Sequence, residues 1–96
     1  MIKHIVLFNI ISENKDENTA KVVSELQNLS EKIKELLFLE IGTNFSDRPN
    51  SYDIILVSHF KSVTDLDTYR NHPEHVKVVQ KISPYIEKCA VCDYKI

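Results

Sequence analysis

The stretch "IKHIVLFNII" at residues 2–11 is rich in isoleucine, valine, leucine and phenylalanine, and it is short for a helix. It therefore predicts a β-strand. Successive side chains of a strand point to opposite faces. One face then carries His4, Val6, Phe8 and Ile10, and the other carries Ile5, Leu7 and Ile11. Both faces of this strand are apolar.

The stretch "YDIILVSHF" at residues 52–60 repeats the pattern, with Ile54 and Leu56 on one side and Ile55 and Val57 on the other. A sheet with one face in water would alternate apolar and polar residues, and the helices of a single chain cover only one face. The second apolar face must therefore be buried against something other than this chain. A second copy, packed sheet against sheet around a twofold axis, is the simplest cover, so we expect a homodimer.

A helical period follows the first strand. Apolar residues recur at helical spacing with charges between them, and they predict an amphipathic helix over residues 17–34 that is N-capped near Asp16. This apolar stripe consists of Val22, Leu26, Leu29, Ile33 and Leu36. Residues 37–45 predict a second strand, in which Gly42 suggests a bulge or a bend.

The second half of the chain predicts two short helices and a last strand. Ser62 opens one helix with an S-x-x-D capping pattern, and we expect it to end near Arg70. Pro73 suits the first turn of another helix, which ends before residue 84. Its apolar residues are Val76, Val79 and Ile82. A strand at 87–96 completes the order β-α-β-β-α-β, an α+β, ferredoxin-like arrangement in which a four-stranded antiparallel sheet carries its helices on one face.

Length and composition indicate a single domain over residues 1–96. The formal charge of −2 lacks the basic excess of a nucleic-acid-binding protein. No stretch approaches the roughly 20 apolar residues of a membrane span, and the N-terminus has no signal-peptide pattern. We therefore expect a cytoplasmic protein without a nucleic-acid or membrane partner. The single glycine, Gly42, excludes glycine-rich phosphate-binding loops.

Cys89 and Cys92 have the C-x-x-C spacing of redox and zinc sites. They fall in the predicted last strand, where residues three apart point to opposite faces. Thiols on opposite faces cannot reach disulfide geometry. We therefore expect two ordinary buried thiols that stay unbridged within one chain.

The stretch "YRNHPEHVKVV" at residues 69–79 concentrates the candidate chemistry. His75 lies in the first turn of the helix that Pro73 begins, where the helix dipole disfavours an imidazolium. A neutral imidazole can act as a general base near pH 7, and the Tyr69 hydroxyl can polarise a carbonyl oxygen. If His4 faces the helices, it meets His75 across an apolar pocket of the kind that binds small molecules. The expected ligand-binding residues are His4, Val6, Phe8, Ile54, Leu56 and His72.

The same residues also fit a structural role. His72 then caps the helix, His4 is a core histidine hydrogen-bonded to His75 or to backbone, and Tyr69 is a core residue with a tethered hydroxyl. A metal site at His72 and His75 is a further alternative, because neutral imidazoles suit zinc or copper. No carboxylate or thiol stands at a matching spacing, so we expect no metal and no cofactor.

Four segments resemble the stress-responsive dimeric α/β-barrel family: "KHIVLF" at 3–8, "LEIGTNFSDRPNSYDIILVSHF" at 39–60, "YRNHPEHVKVV" at 69–79 and "VCDY" at 91–94. The resemblance covers essentially the whole chain. It implies a ferredoxin-like protomer and a homodimer whose two sheets form a barrel. Related barrels include haem-degrading and quinol-forming monooxygenases, but nothing in this sequence argues for haem.

Certain plant members of that family act as cofactor-free polyketide cyclases. There a tyrosine and the second histidine of a Y-x-x-H-P-x-H segment carry the chemistry, and these match Tyr69 and His75. The N-terminal histidine of the same pocket matches His4. The resemblance thus implies either a binding protein without catalysis or a cofactor-free lyase, cyclase or isomerase that acts on a small carbonyl compound.

Two positions depart from the family pattern. Lys34-Glu35 stands where the family often has Pro-Gly at the end of the first helix. Ile54 stands where the cyclase-like members carry a histidine, which makes the pocket of this chain less polar than theirs.

Overall fold

The computed structural model describes all residues, Met1–Ile96, and confirms the α+β, ferredoxin-like fold. The strands are β1 (Ile2–Ile10), β2 (Phe38–Thr43), β3 (Ile54–Phe60) and β4 (Ile86–Lys95). The helices are α1 (Lys15–Gln27), α2 (Val63–Asn71) and α3 (Pro73–Ile82), and a short 3-10 turn at Ser83–Tyr85 leads into β4. The strands form one antiparallel sheet in the order β2-β3-β1-β4. None of the helices is long and apolar enough to cross a bilayer.

The sheet divides the side chains of β1 into two sets, as the alternation predicts. Alternate residues from Ile2 to Ile10 are buried beneath the helices, and the residues between them are only partly covered. The register places Val6 opposite Leu56 of β3 and opposite Val91 of β4. The hydrophobic core therefore lies between the helices and one face of the sheet.

The other face of the sheet has no helix over it. Its centre is formed by Ile5, Leu7, Ile55 and Val57, which the register places in two directly opposed pairs; we refer to these four residues as the open face. Ile55 is 36% exposed in the single chain. The two-sided apolar pattern of β1 and β3 thus appears in the structure as predicted, with one face buried and one uncovered.

Helix α1 is shorter than predicted, because it ends at Gln27 rather than near residue 34. Beyond it the chain makes tighter turns, in which the Leu29 amide donates to the Leu26 carbonyl and the Leu36 amide to the Ile33 carbonyl. Residues three apart eclipse one another in such turns, and all four leucine and isoleucine side chains are buried. The apolar stripe correctly identified core residues, but it does not mark the end of the helix.

The predicted helix caps had mixed outcomes. Asn14, rather than Asp16, is the N-cap residue of α1; its φ of 49° lies in the left-handed region, which asparagine tolerates. Asp16 lies in the first turn, where a carboxylate interacts favourably with the helix dipole. Ser62 caps α2 as predicted, and its hydroxyl accepts a hydrogen bond from the Asp65 amide at 3.1 Å.

Strand β2 is also shorter than the predicted 37–45. Of the bulge or bend expected at Gly42, the bulge is absent, because the β2–β3 register is unbroken. Gly42 lies directly opposite Ile55, whose Cγ2 atom would be 3.2 Å from a Cβ at position 42. The glycine therefore makes room for a cross-strand side chain. The irregularity in the sheet lies between Asn9 and Ile10, where β1 pairs with β4.

Helix α3 begins at Pro73 as predicted, but its buried face differs from the one expected. Val78 and Ile82 are buried, whereas Val76 and Val79 are 42% and 44% exposed. Val78 and Ile82 are four residues apart and share one helix face. His75, three residues before Val78, lies on that same face.

Cys89 and Cys92 are both free, as predicted, but the expectation that they are buried is wrong. Cys89 lies opposite Phe8 and Cys92 lies opposite Ile5, so the two thiols are on opposite faces of the sheet. Both are exposed because β4 is an edge strand. The general tendency of cysteine to be buried is overridden here by position in the sheet.

Candidate functional site

A cleft of about 510 Å³ opens between the helices and the β1–β4 side of the sheet. Twelve of its 17 lining residues are hydrophobic, and they come from all three helices, the turn after α1, and strands β1, β3 and β4. They include Val6, Phe8, Leu26, Leu56, Val78 and Ile82. A mostly apolar cleft with a few converging polar groups is typical of a small-molecule site.

A second depression of about 510 Å³ lies beside α1 and the end of β2, but only two of its ten lining residues are hydrophobic. Two of its charged side chains, Lys15 and Asp53, are already paired with each other. The Lys15 ammonium lies 3.2 Å from the Asp53 carboxylate, which also accepts a hydrogen bond from the Ile10 amide at 2.8 Å. We therefore take the apolar cleft as the candidate site.

The structure brings most of the predicted site residues to this cleft. Its lining includes His4, Val6, Phe8, Leu56, Tyr69 and His75. Ile54 and His72 do not line it. Ile54 is 1% exposed in the hydrophobic core, and His72 occupies the junction between α2 and α3.

Tyr69 lies near the C-terminus of α2 and forms part of the cleft wall. It is only 1% exposed. Its ring centroid lies 4.8 Å from that of Phe60, 4.5 Å from that of His75 and 6.1 Å from that of His4. Burial raises the pKa of the Tyr69 hydroxyl far above its usual value. The hydroxyl therefore stays protonated and can donate a hydrogen bond to a ligand oxygen.

His75 is held in one tautomer by its backbone surroundings. Its Nδ1 atom lies 3.0 Å from the Arg70 carbonyl oxygen, and because a carbonyl only accepts, Nδ1 carries the proton. The lone pair of the neutral ring is then on Nε2. Burial lowers the pKa of His75; its hydrogen bond with Arg70 opposes that shift, and the positive charges of His4 and Arg70 add to it. A lowered pKa keeps the ring neutral at pH 7. The direction agrees with the prediction, although burial is the main cause.

His4 has a partner that the sequence did not reveal. Its Nδ1 atom is hydrogen-bonded to the Asp93 carboxylate, rather than to His75 or backbone as the structural alternative supposed. Asp93 lies directly opposite His4 in the β1–β4 register. Opposed residues of an antiparallel pair are close enough to interact, but the register cannot be read from the sequence alone. His4 itself is only 7% exposed.

Arg70 also lines the cleft and was not predicted as a site residue. It directly follows Tyr69 in the sequence and precedes the α2–α3 junction, so its position next to a predicted site residue was the one signal that could have identified it. His72 caps α3, because its Nδ1 atom accepts a hydrogen bond from the Glu74 amide at 3.1 Å. No group of three or more His, Cys, Asp or Glu side chains is arranged to hold a metal ion.

Comparison with known proteins gives consistent relatives. The sequence model of the stress responsive A/B barrel domain family matches residues 2–96. An uncharacterized protein of Streptomyces coelicolor is 35% identical over 77 residues, which cover 78% of this chain and 79% of that protein.

Solved structures share the fold over almost the whole chain. A dimeric protein of unknown function and ferredoxin-like fold from Bacteroides fragilis is 29% identical with a TM-score of 0.84, and the match covers 99% of this chain and 95% of that one. The hydroxynitrile lyase from Passiflora edulis is 23% identical with a TM-score of 0.86, over 99% and 92% of the two chains. At that identity the second likeness shows the fold alone.

Proposed function

Because the chain belongs to the stress-responsive α/β-barrel domain family, we propose that it is a homodimer that binds a small apolar or carbonyl-containing molecule in the cleft. The observation that carries the proposal is the cleft itself, with its largely hydrophobic lining and its volume of about 510 Å³. That volume falls within the usual range of small-molecule sites, roughly 300–1,000 Å³.

The polar groups at the cleft support a ligand that contains a carbonyl group. The neutral Tyr69 hydroxyl is a donor for the carbonyl oxygen. It makes no hydrogen bond within the chain, and its oxygen is not among the fully buried side-chain atoms that lack a partner, so a ligand can reach it. The Nε2 lone pair of His75 is an acceptor for a hydrogen next to that carbonyl. The apolar remainder of the ligand would then lie against Val6, Phe8 and Val78.

The open face supports a dimer. The side chains of Ile5, Leu7, Ile55 and Val57 present a continuous apolar centre that the helices of the same chain do not cover. Burial of such a face against a second copy removes apolar surface from water and stabilises the association. The related Bacteroides fragilis protein is described as dimeric.

The cleft can be tested with N-phenyl-1-naphthylamine, a neutral apolar dye whose fluorescence rises in an apolar environment. We expect saturable binding to the unmodified protein. Val91 lies on β4, lines the cleft and is 57% exposed, so Val91→Trp should fill the cleft without overpacking the core. This variant should weaken binding at least about tenfold, or about 1.4 kcal/mol.

Val63 provides a matched control. It is 54% exposed and lies on α2 away from the cleft, so Val63→Trp adds the same ring at a remote site and should leave the affinity unchanged. Absence of dye binding, or equal binding by both variants, would contradict the proposal.

A second candidate function is cofactor-independent catalysis of the lyase, cyclase or isomerase type. It is favoured by the fixed tautomer and lowered pKa of His75 beside Tyr69. His75 Nε2 would take a proton from the carbon next to a carbonyl. The C–H electron pair would then form a carbon–carbon double bond, and the π pair of the carbonyl would move to its oxygen to give an enolate. The Tyr69 hydroxyl would donate a hydrogen bond to that oxygen. Return of the proton to the ligand completes an isomerisation. In a cyclisation, the enolate carbon bonds to a second carbonyl carbon of the ligand, and the alkoxide formed there takes the proton back from His75 Nε2.

Exchange of hydrogen for deuterium next to the carbonyl of nonan-2-one in heavy water isolates the first step. We expect faster exchange with the protein than without it, and loss of that acceleration in His75→Ala. His72→Asn is the control, since asparagine is a good helix cap and His72 does not line the cleft. If the unmodified protein gives no acceleration, this ketone is not a substrate and the catalytic candidate loses its support.

A further inference from the structure

The cleft has a polar end and an apolar end. Tyr69, Arg70 and His75 lie where α2 meets α3, and the His4–Asp93 pair lies near them across the cleft. From His4, β1 runs four residues to Phe8, roughly 13 Å at the rise of a strand. From His75, α3 runs seven residues to Ile82, about 10 Å at the rise of a helix. The space between these segments suits an extended apolar body with one polar head.

Arg70 provides the charge at the polar end that remains available to a ligand. The carboxylate of Asp93, the other charged group of the lining, is already paired with His4. Arg70 has one ion pair, with Asp67 at 3.7 Å, and the two side chains are 62% and 60% exposed. Exposed pairs of this kind contribute little, so the guanidinium can turn to a ligand. The N-terminus of α3 adds a partial positive charge at the same end.

We propose that the cleft selects a carboxylic acid with an apolar chain or ring, and that Arg70 binds its carboxylate. This inference rests on the proposed function, because it names the ligand class of the same cleft. A guanidinium matches the geometry of a carboxylate through two parallel hydrogen bonds. The Tyr69 hydroxyl can donate a further one. Neutral His75 has no proton on Nε2 to offer the anion, so recognition depends on Arg70 and Tyr69.

Displacement of N-phenyl-1-naphthylamine by decanoate and by decan-1-ol tests this inference. The two competitors share an apolar chain and differ in their heads. The quantity to measure is the ratio of their inhibition constants. In Arg70→Gln this ratio should shift against decanoate by at least about tenfold, since hydrogen bonds to charged groups are among the stronger ones. Arg70→Lys, which keeps the charge but loses the paired geometry, should give an intermediate shift.

The chain offers a matched control, because Arg48 is its only other arginine. It lies in the loop between β2 and β3, so Arg48→Gln makes the same chemical change away from the cleft and should leave the ratio unchanged. If the dye binds in the cleft but the ratio of inhibition constants is the same in Arg70→Gln as in Arg48→Gln, the inference is overturned. The same holds if neither competitor displaces the dye. If the dye itself does not bind, or binds Val91→Trp as well as the unmodified protein, the proposed function fails instead.

Discussion

The rings of Tyr69 and His75 lie 4.5 Å apart between their centroids, tilted by 53°. The tyrosine belongs to the last turn of α2 and the histidine to the first turn of α3, and extended His72 is the link between the two helices. The residue before a proline is biased toward an extended conformation, so Pro73 enforces this sharp junction. The junction places a hydrogen-bond donor and an acceptor on one wall of an apolar cleft.

The protonation of His75 should make the stability of the protein depend on pH. Because burial lowers its folded pKa below the ordinary value of 6.5, the unfolded chain binds the proton more readily than the folded chain. The stabilising contribution is therefore present above about pH 6.5 and is lost as the pH falls through the folded pKa. NMR titration of the imidazole carbons should show the lowered pKa.

Urea unfolding of the unmodified protein and of His75→Gln measures the consequence. The free energy of unfolding should fall more between about pH 7 and about pH 5 in the unmodified protein than in the variant. A His75 pKa above 6.5, or identical pH dependence in the two proteins, would contradict the burial argument.

Two substitutions at Tyr69 should distinguish the packing of its ring from the hydrogen bonding of its hydroxyl. Tyr69→Ala removes a ring that contacts Phe60 and His75 in the core and should cost roughly 3–5 kcal/mol of stability. Tyr69→Phe keeps the ring and should cost less than about 1 kcal/mol, while it weakens decanoate binding. Thermal or urea unfolding together with dye displacement measures both effects. Equal loss of stability in the two variants would instead assign the hydroxyl a structural role.

His72 should behave as a helix cap rather than as a ligand-binding residue. His72→Ala removes the side chain that accepts the hydrogen bond from the Glu74 amide, and such losses cost about 1 kcal/mol. His72→Asn should restore most of that stability, and neither change should alter dye affinity. A variant that binds the dye poorly while keeping full stability would show that His72 reaches the ligand after all.

The dimer should depend on the open face. Sedimentation of the unmodified protein should give twice the chain mass of 11.2 kDa at micromolar concentration. Val57→Lys places a charge at the centre of the sheet-to-sheet contact, where burial costs several kcal/mol, and should produce monomers or aggregates. Val63→Lys changes an exposed position of α2, and this variant should remain dimeric. An unmodified protein that sediments at the mass of a single chain would refute the dimer.

The two-faced strands were predictable because the alternation of side chains is a local property of extended chain. Residues 2–11 and 52–60 showed it directly, and the βαββαβ order followed from the helical periods between strands. The end of α1 was not predictable in the same way. Leu29, Ile33 and Leu36 keep their side chains in the core through tighter turns, so tertiary packing preserves the period after the helix has ended.

In the candidate site, too, the residues of a local pattern were predictable from the sequence and the residues joined only by the assembled sheet were not. Tyr69 and His75 are six residues apart around a proline, and their local pattern led to the cleft. Asp93 is 89 residues from His4 in sequence, and only the β1–β4 register brings the two together. The exposure of Cys89 likewise depends on which strand forms the edge of the sheet, which is a property of the assembled fold.

The four histidines of the chain provide the most direct test of ligand binding in the cleft. His4 and His75 line it, His72 caps α3, and His59 stacks on Phe38 on the opposite side of the sheet. The measurement is a histidine-selective NMR spectrum recorded during titration with N-phenyl-1-naphthylamine. We expect the His4 and His75 imidazole signals to shift and then saturate while those of His59 stay in place. Shifts at His59 with unchanged His4 and His75, or no shifts at a saturating dye concentration, would contradict it.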